Sequence, residues 1–148
     1  EPDCEVDDAE IRQAGPSWTI RTLERLRAEL PDNSVVLIVG ADAFLGLPSW
    51  HRWTELTDFA HIAVANRPGS TLNTGAMASN LAALWRSHHT TDATCLRQSP
   101  AGRIVSFTIA PCSVSATGIR RAIGQTESIT GMVSLPVENY IHDHHLYR

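Results

Sequence analysis

Short apolar runs alternate along the chain with longer segments in which apolar residues recur every three or four positions. The runs lie at Val35–Val39, His61–Ala65 and Ile104–Ile109. Each is bounded by turn residues and is too short for a typical helix, so each predicts a β-strand. The first run is apolar throughout and four of its five residues are β-branched, which predicts a strand buried on both faces, as in a parallel sheet.

The segments between these runs have helical spacing. Four apolar residues share one face of the first predicted helix: Ile20, Leu23, Leu26 and Leu30. Ser17 or Thr19 can cap that helix, and Pro31 stops it. Further helices are predicted at 55–58, 76–89, 113–123 and about 136–142, whereas Cys4–Val6 is either a short edge strand or a solvated start. Strands that alternate with helices predict an α/β protein with a mainly parallel sheet.

Length and charge narrow the function classes. A chain of 148 residues predicts one domain, and a formal net charge of −4 argues against nucleic-acid and acidic-membrane partners. All 12 basic residues are Arg, so the chain offers no Lys nucleophile or P-loop lysine, and phosphate must meet Arg, His, backbone N–H groups or metal. Three separated cysteines without a CxxC pair, and no apolar run of transmembrane length, predict a cytoplasmic protein.

Two clusters of polar groups lie beside the first predicted helix and strand. Ser17–Thr19 precede the helix, where free backbone N–H groups favour an anion, although the same residues also suit an ordinary cap. Gly40 and Asp42 follow the strand, where ligands bind in open α/β sheets. The Asp42 carboxylate can accept from both hydroxyls of a ribose, or it can cap the next helical turn. The pattern leaves these alternatives open.

Aromatic and basic residues form the other candidates. Two of the four tryptophans, Trp50 and Trp53, lie on either side of His51; we expect Trp53 in the core and Trp50 against a ligand ring. Ser115–Arg120 lie near the start of a predicted helix, and their hydroxyls and guanidinium suit phosphate oxygens. The alternative is a plain helix cap with a solvated arginine. The His142–His145 run predicts a solvated tail rather than a metal site.

Taken together, these motifs resemble the bacterial nicotinate-nucleotide adenylyltransferases. The resemblance extends over nearly the whole chain, and four stretches carry it in the family's order: Gly15–Leu23, Leu37–Trp53, Arg67–Gly69 and Ser115–Arg120. It implies a Rossmann-like, doubly wound parallel sheet of the nucleotidylyltransferase superfamily. It also implies transfer of AMP from ATP to nicotinic acid mononucleotide, which yields deamido-NAD and pyrophosphate in NAD biosynthesis.

The resemblance also implies roles for single residues. Trp50 would stack on the pyridine ring, with Ser17 and the backbone near Thr19 and His51 binding the ring's carboxylate.

On the ATP side, the resemblance places Gly40 and Asp42 at the adenosine ribose. It makes Ser115, Thr117 and Arg120 the phosphate-binding and catalytic groups, with Arg67 as a further contact to the ATP phosphates. Mg²⁺ would accompany ATP without a dedicated protein site. We expect Trp50, Asp42 and Arg120 to line one cleft.

One family feature has no counterpart here. The family begins with a Gly-rich strand–loop–helix that carries an H-x-G-H motif, and no H-x-G-H occurs in this sequence. We expect the chain to begin after that segment, to bind nucleotides weakly and to catalyse poorly. An exposed central strand would then recruit the missing segment in trans or a second copy, giving a homo-oligomer.

Two other functions remain open from the sequence. One is another nucleotidylyltransferase, acting on nicotinamide mononucleotide or phosphopantetheine. The other is a non-catalytic nucleotide-binding module that lacks the histidines. Trp50 beside a helix N-terminus favours an aromatic, anionic acceptor over pantetheine.

Overall fold

The computed structural model describes residues 4–67 and 72–147. The chain divides into two compact units, Glu1–Ala110 and Pro111–Arg148. Each unit has its own apolar cluster. The single domain expected from the chain length stays a prediction.

The first unit is built on a parallel three-stranded sheet. Its strands are β1 (Val36–Gly40), β2 (His61–Asn66) and β3 (Ile104–Thr108), in the spatial order β1-β2-β3. The register pairs Gly40 with Ala65 and Ala65 with Phe107. All three carboxyl ends therefore lie at one edge of the sheet, and the predicted α/β class with a parallel sheet is confirmed.

Burial differs between the strands. Central β2 is buried along almost its whole length, as predicted. The prediction that β1 is buried on both faces is wrong, because Val36 is 37% exposed and Ile38 is 67% exposed. Among the described residues, β1 has a strand on one side only, and its alternate side chains point to opposite faces of the sheet. Only the face that carries Val39 reaches the core.

Helices cover that core face. Seven α-helices are assigned in the described residues: α1 (Ala9–Arg12), α2 (Thr19–Glu29), α3 (Ala41–Leu45), α4 (Leu56–Phe59), α5 (Ser79–His88), α6 (Ala116–Gly124) and α7 (Leu135–Asp143). The main cluster joins fully buried side chains of four helices to the strands, namely Ile20, Phe44, Leu56 and Leu81. Helix α2 ends before Pro31, as predicted.

Outside the sheet, the structure contradicts the edge strand considered for the N-terminal segment and confirms the helix predicted at 76–89. Cys4–Val6 is exposed and outside any strand, so the edge-strand alternative is wrong. The helix predicted at 76–89 is α5, preceded by a 3₁₀ turn at Thr74–Ala76. No helix in the described part of the chain is long and apolar enough to cross a bilayer.

The second unit contains α6 and α7. Buried Ala122, Ile129 and Ile141 form its apolar cluster, which half-buried neighbours extend. Helix α7 begins and ends within about one residue of its predicted bounds, whereas α6 begins three residues later than predicted, because Ser115 is the extended N-cap residue.

Candidate functional site

A pocket of about 250 Å³ lies where the start of α2 meets the loop after α3. Ser17–Thr19 form one wall and Ser49–His51 form the other. Buried Ile20 anchors the first wall in the core, and buried Leu47 anchors the 3₁₀ turn that precedes Trp50. Two segments about 30 residues apart in the sequence thus meet in one pocket, and they include every residue assigned to the pyridine nucleotide.

The α2 N-terminus in this pocket has no side-chain cap. Extended Trp18 (φ −110°, ψ 125°) is the N-cap residue, and no side chain accepts a hydrogen bond from the first turn. The prediction that Ser17 or Thr19 caps the helix is therefore wrong. The uncapped backbone N–H groups carry the positive end of the helix dipole, which suits a carboxylate or another anion.

Ser17 is engaged by a carboxylate that sequence reasoning missed. Its hydroxyl donates to Glu10, whose other carboxylate oxygen accepts from the Thr22 hydroxyl. These two hydrogen bonds hold the pKa of Glu10 below its usual value, and the bond from Ser17 has the larger effect. Because the Ser17 proton already goes to Glu10, the backbone rather than this hydroxyl is the donor to an anion in the pocket.

Aromatic rings supply the walls of the pocket. The Trp18 indole stacks on the His51 imidazole, with ring centroids 4.9 Å apart and planes 29° from parallel. Half-buried Trp50 packs against the core and also lines the pocket, whereas half-buried Trp53 packs against the core and is not among the lining residues. Trp18 was not predicted as a wall residue. Its position directly after Ser17, in a motif already expected to bind a ligand, was the signal that could have identified it.

Gly40 and Asp42 lie at the carboxyl end of β1. Gly40 is the N-cap residue of α3, and exposed Asp42 sits in its first turn without a side-chain capping bond, so the alternative that Asp42 is a cap is wrong. A Cβ at Gly40 would lie 2.7 Å from Asp42 Oδ1. Glycine is therefore needed for the carboxylate to lie back over the strand end.

Arg67 lies just past the carboxyl end of β2, at the same sheet edge as Gly40. Its side chain is exposed. Pro68 and Gly69 of the same motif lie outside the described residues.

The predicted phosphate-binding cluster belongs to the second unit. Ser115 is the N-cap residue of α6, and its Oγ accepts from the Gly118 N–H at 3.0 Å. Exposed Arg120 places its guanidinium carbon 5.5 Å from the centre of the Tyr147 ring. Thr117, in the first turn, is exposed. The cap alternative therefore describes Ser115, and the placement of Trp50, Asp42 and Arg120 around one cleft stays a prediction.

Histidines and cysteines outside the pocket form no metal centre in residues 4–67 and 72–147, where no group of three or more His, Cys, Asp or Glu side chains could hold an ion. Buried His61 is satisfied by the backbone, since its Nε2 lies 2.8 Å from the Ser99 carbonyl and its Nδ1 accepts from the Arg103 N–H. The three cysteines are free thiols.

Solved structures share the fold. A Plasmodium falciparum nicotinic acid mononucleotide adenylyltransferase complexed with NaAD aligns at a TM-score of 0.61 and 13% identity, covering 90% of this chain and 58% of that one. The same enzyme complexed with APC aligns at 0.60, also with 13% identity, over 90% of this chain and 60% of that one. At this identity the likeness shows a shared Rossmann-like fold.

Sequence relatives are much closer. No protein-family model matches the chain. A probable nicotinate-nucleotide adenylyltransferase of Dechloromonas aromatica is 42% identical over 97% of the chain and 66% of its own length. Proteins with the same name in Aeromonas salmonicida and Pseudomonas aeruginosa are 39% and 41% identical, over 99% and 97% of the chain and 67% and 65% of their own lengths.

The chain thus spans about two thirds of the length of the curated relatives it matches. The alignments cover all but a few residues of the chain. At this identity and coverage, the chain belongs to the nicotinate-nucleotide adenylyltransferase family.

Proposed function

We propose that the protein transfers AMP from ATP to nicotinic acid mononucleotide, giving deamido-NAD and pyrophosphate in NAD biosynthesis. One observation carries the proposal. An uncapped helix N-terminus and three aromatic side chains, those of Trp18, Trp50 and His51, meet in one small pocket. A flat, anionic ring is the ligand that such a pocket suits, and the names of the relatives agree with this chemistry.

The pyridine nucleotide occupies this pocket in the proposal. The Trp50 indole stacks on the ring, since aromatic stacking contributes roughly 1–3 kcal/mol per base. The N–H groups at the start of α2 and near His51 bind the ring carboxylate. Because an uncapped helix end favours negative charge, the pocket distinguishes nicotinate from the uncharged nicotinamide.

ATP is bound at other groups in the proposal. Asp42 accepts from the ribose hydroxyls, over a strand end that Gly40 keeps open. Ser115, Thr117 and Arg120 bind phosphate oxygens, and Arg67 adds a second guanidinium. Arginine suits this task because it stays charged and can form two parallel hydrogen bonds to a phosphate.

Mg²⁺ would accompany the phosphates of ATP and would supply positive charge during the transfer. No protein nucleophile is required. The phosphate of the mononucleotide attacks the α-phosphorus of ATP in line and pyrophosphate leaves, so the protein contributes position and positive charge.

Calorimetric binding of nicotinic acid mononucleotide to the purified chain tests the proposal. Nicotinamide mononucleotide serves as the control ligand, since it has the same ring, ribose and phosphate without the ring carboxylate. We expect the nicotinate form to bind about five- to tenfold more tightly, the discrimination that charge at a helix N-terminus supplies. Equal affinities would contradict the proposal, and binding of phosphopantetheine in place of both would favour that acceptor.

A further inference from the structure

Arg52 has an unusual backbone conformation directly after the pocket wall. Its φ of 51° and ψ of 37° are left-handed, a region that side chains other than glycine seldom adopt. This conformation turns the chain between extended Trp50 and the 3₁₀ helix Trp53–Glu55. A residue held in a disfavoured conformation persists only where its surroundings hold it there.

Two carboxylates hold the Arg52 guanidinium. Its Nε and Nη2 donate to the two carboxylate oxygens of Glu55, at 2.8 and 2.5 Å. Its Nη1 lies 2.8 Å from Oε1 of Glu24. The hydrogen bonds to Glu55 and then to Glu24 are the main reasons why the pKa of Arg52 lies above its ordinary value.

The two ion pairs join different parts of the molecule. Glu55 lies three residues from Arg52, so that pair stays within one wall and the turn that follows it. Glu24 belongs to α2, whose first residue is Thr19 in the opposite wall. The Arg52–Glu24 pair therefore connects the loop that carries Trp50 and His51 to the helix that carries Trp18 and Thr19. The stack of Trp18 on His51 is a second contact between the same walls.

We propose that Arg52 is a positioning residue that sets the separation of the two pocket walls through its ion pair with Glu24. This inference rests on the proposed function, because it assigns the pair a role in binding the pyridine nucleotide. The side chains of both partners are more than a third exposed, and exposed pairs add little to global stability. The pair acts by selecting one loop geometry, so its loss affects ligand affinity before it affects folding.

Glu24→Gln and Glu55→Gln form a matched pair of variants. Each removes one exposed carboxylate that salt-bridges Arg52, but only Glu24→Gln breaks the contact between the walls. We expect Glu24→Gln to raise the Kd of nicotinic acid mononucleotide about two- to fivefold, as an exposed ion pair allows. The Kd of ATP should stay within about 1.5-fold of wild type by the same scale. Glu55→Gln should leave both Kd values within that range.

Salt gives an independent readout. The Debye length falls to about 3 Å at 1 M salt, so the exposed pair is largely screened there. The ratio of the Glu24→Gln and wild-type Kd values should then approach one. A ratio that is the same at low and high salt, equal effects of the two variants, or no effect of Glu24→Gln would overturn the inference.

A measurement without ligand separates this inference from the proposed function. The indole ring current of Trp18 shifts the imidazole proton resonances of His51 in an NMR spectrum, and these can be assigned with a His51→Gln variant. At one fixed pH, Glu24→Gln should move them toward the values of a free histidine, whereas Glu55→Gln should not. If the wild-type chain fails to bind the mononucleotide but this shift occurs, the proposed function fails and the wall contact stands. An unmoved resonance overturns the contact itself.

Discussion

The pocket beside α2 and the Ser115–Arg120 cluster of α6 were both singled out from short motifs, yet they are built in different ways. The pocket joins Ser17–Thr19 to Ser49–His51, segments that only tertiary packing brings together. Ser115–Arg120 instead is one helix start, and its side chains bond within their own unit, Ser115 to Gly118 and Arg120 over Tyr147. A motif assembled from distant segments is hard to explain by local structure alone, whereas a helix-start motif also has a purely structural explanation.

The two serines make the same contrast at a smaller scale. Both precede a helix and both suit a cap by residue type. Ser115 caps α6, whereas Ser17 donates to Glu10 and leaves α2 uncapped. The end of α2 is therefore open to a ligand, while the Gly118 N–H of α6 is already satisfied by its own serine.

Replacing Arg120 tests whether the α6 cluster is more than a capped helix. Of the predicted changes, this substitution should have the largest effect. If Arg120 stabilises charge in the transition state, Arg120→Ala lowers kcat/KM for deamido-NAD formation. The fall should correspond to a loss of about 2–4 kcal/mol of transition-state stabilisation. Arg121→Ala is the control, because its side chain is a neighbouring exposed arginine of the same helix. A loss below about threefold (under 1 kcal/mol) for Arg120→Ala would make it a surface residue stacked on Tyr147.

Replacing Trp50 tests the pocket directly. Trp50→Ala should weaken binding of nicotinic acid mononucleotide by about 1–3 kcal/mol and leave ATP binding unchanged, because only the pyridine loses a stacking surface. Calorimetry with each nucleotide measures both affinities. Trp53→Phe serves as control, since Trp53 packs against the core without lining the pocket. Equal losses for both nucleotides would refute the placement of the ring.

The serine contrast predicts a difference in stability. Ser115→Ala removes a cap and should lower the free energy of unfolding by about 1 kcal/mol. Ser17→Ala removes an exposed hydroxyl that caps no helix, so its effect should stay below about 0.5 kcal/mol. Urea unfolding followed by circular dichroism measures both variants. A larger loss for Ser17→Ala would mean that the bond to Glu10 matters more to the fold than the α6 cap does.

Lowering the pH should protonate Glu10 and so destabilise the segment that holds Ser17 in the pocket wall. This effect should be the smallest of the four predicted effects. Hydrogen bonds from Ser17 and Thr22 lower the pKa of Glu10 in the folded state. Its contribution to stability is therefore complete above the unfolded pKa of about 4.3 and is lost as the pH falls through the lower folded value. The urea midpoint of wild type should fall more between pH 6 and pH 3 than that of Glu10→Gln. Parallel curves would show that the bonds are not maintained in solution.

The apolar pattern of the strands predicted most of the fold. It failed to predict burial where burial depends on what lies beside a strand. The apolar runs predicted β1, β2 and β3, the α/β class and the parallel sheet. For β2, which has a strand on each side, burial was also predicted correctly. For β1 it was not, because Ile38 is as apolar as its neighbours and yet is exposed. An apolar side chain shows that burial is favourable, but only the surrounding structure decides whether something covers it.

The sequence by itself determined which residues could bind an aromatic anion and a nucleotide, because that capacity depends on side-chain chemistry and on position relative to strand ends and helix starts. Only the tertiary structure decided that Trp18 faces His51, that Glu10 takes the Ser17 proton and that Arg52 reaches Glu24. The first and last of these contacts join segments about 30 residues apart whose distance is set by packing on a shared core. Local preferences choose the elements, and the core chooses which of their side chains meet.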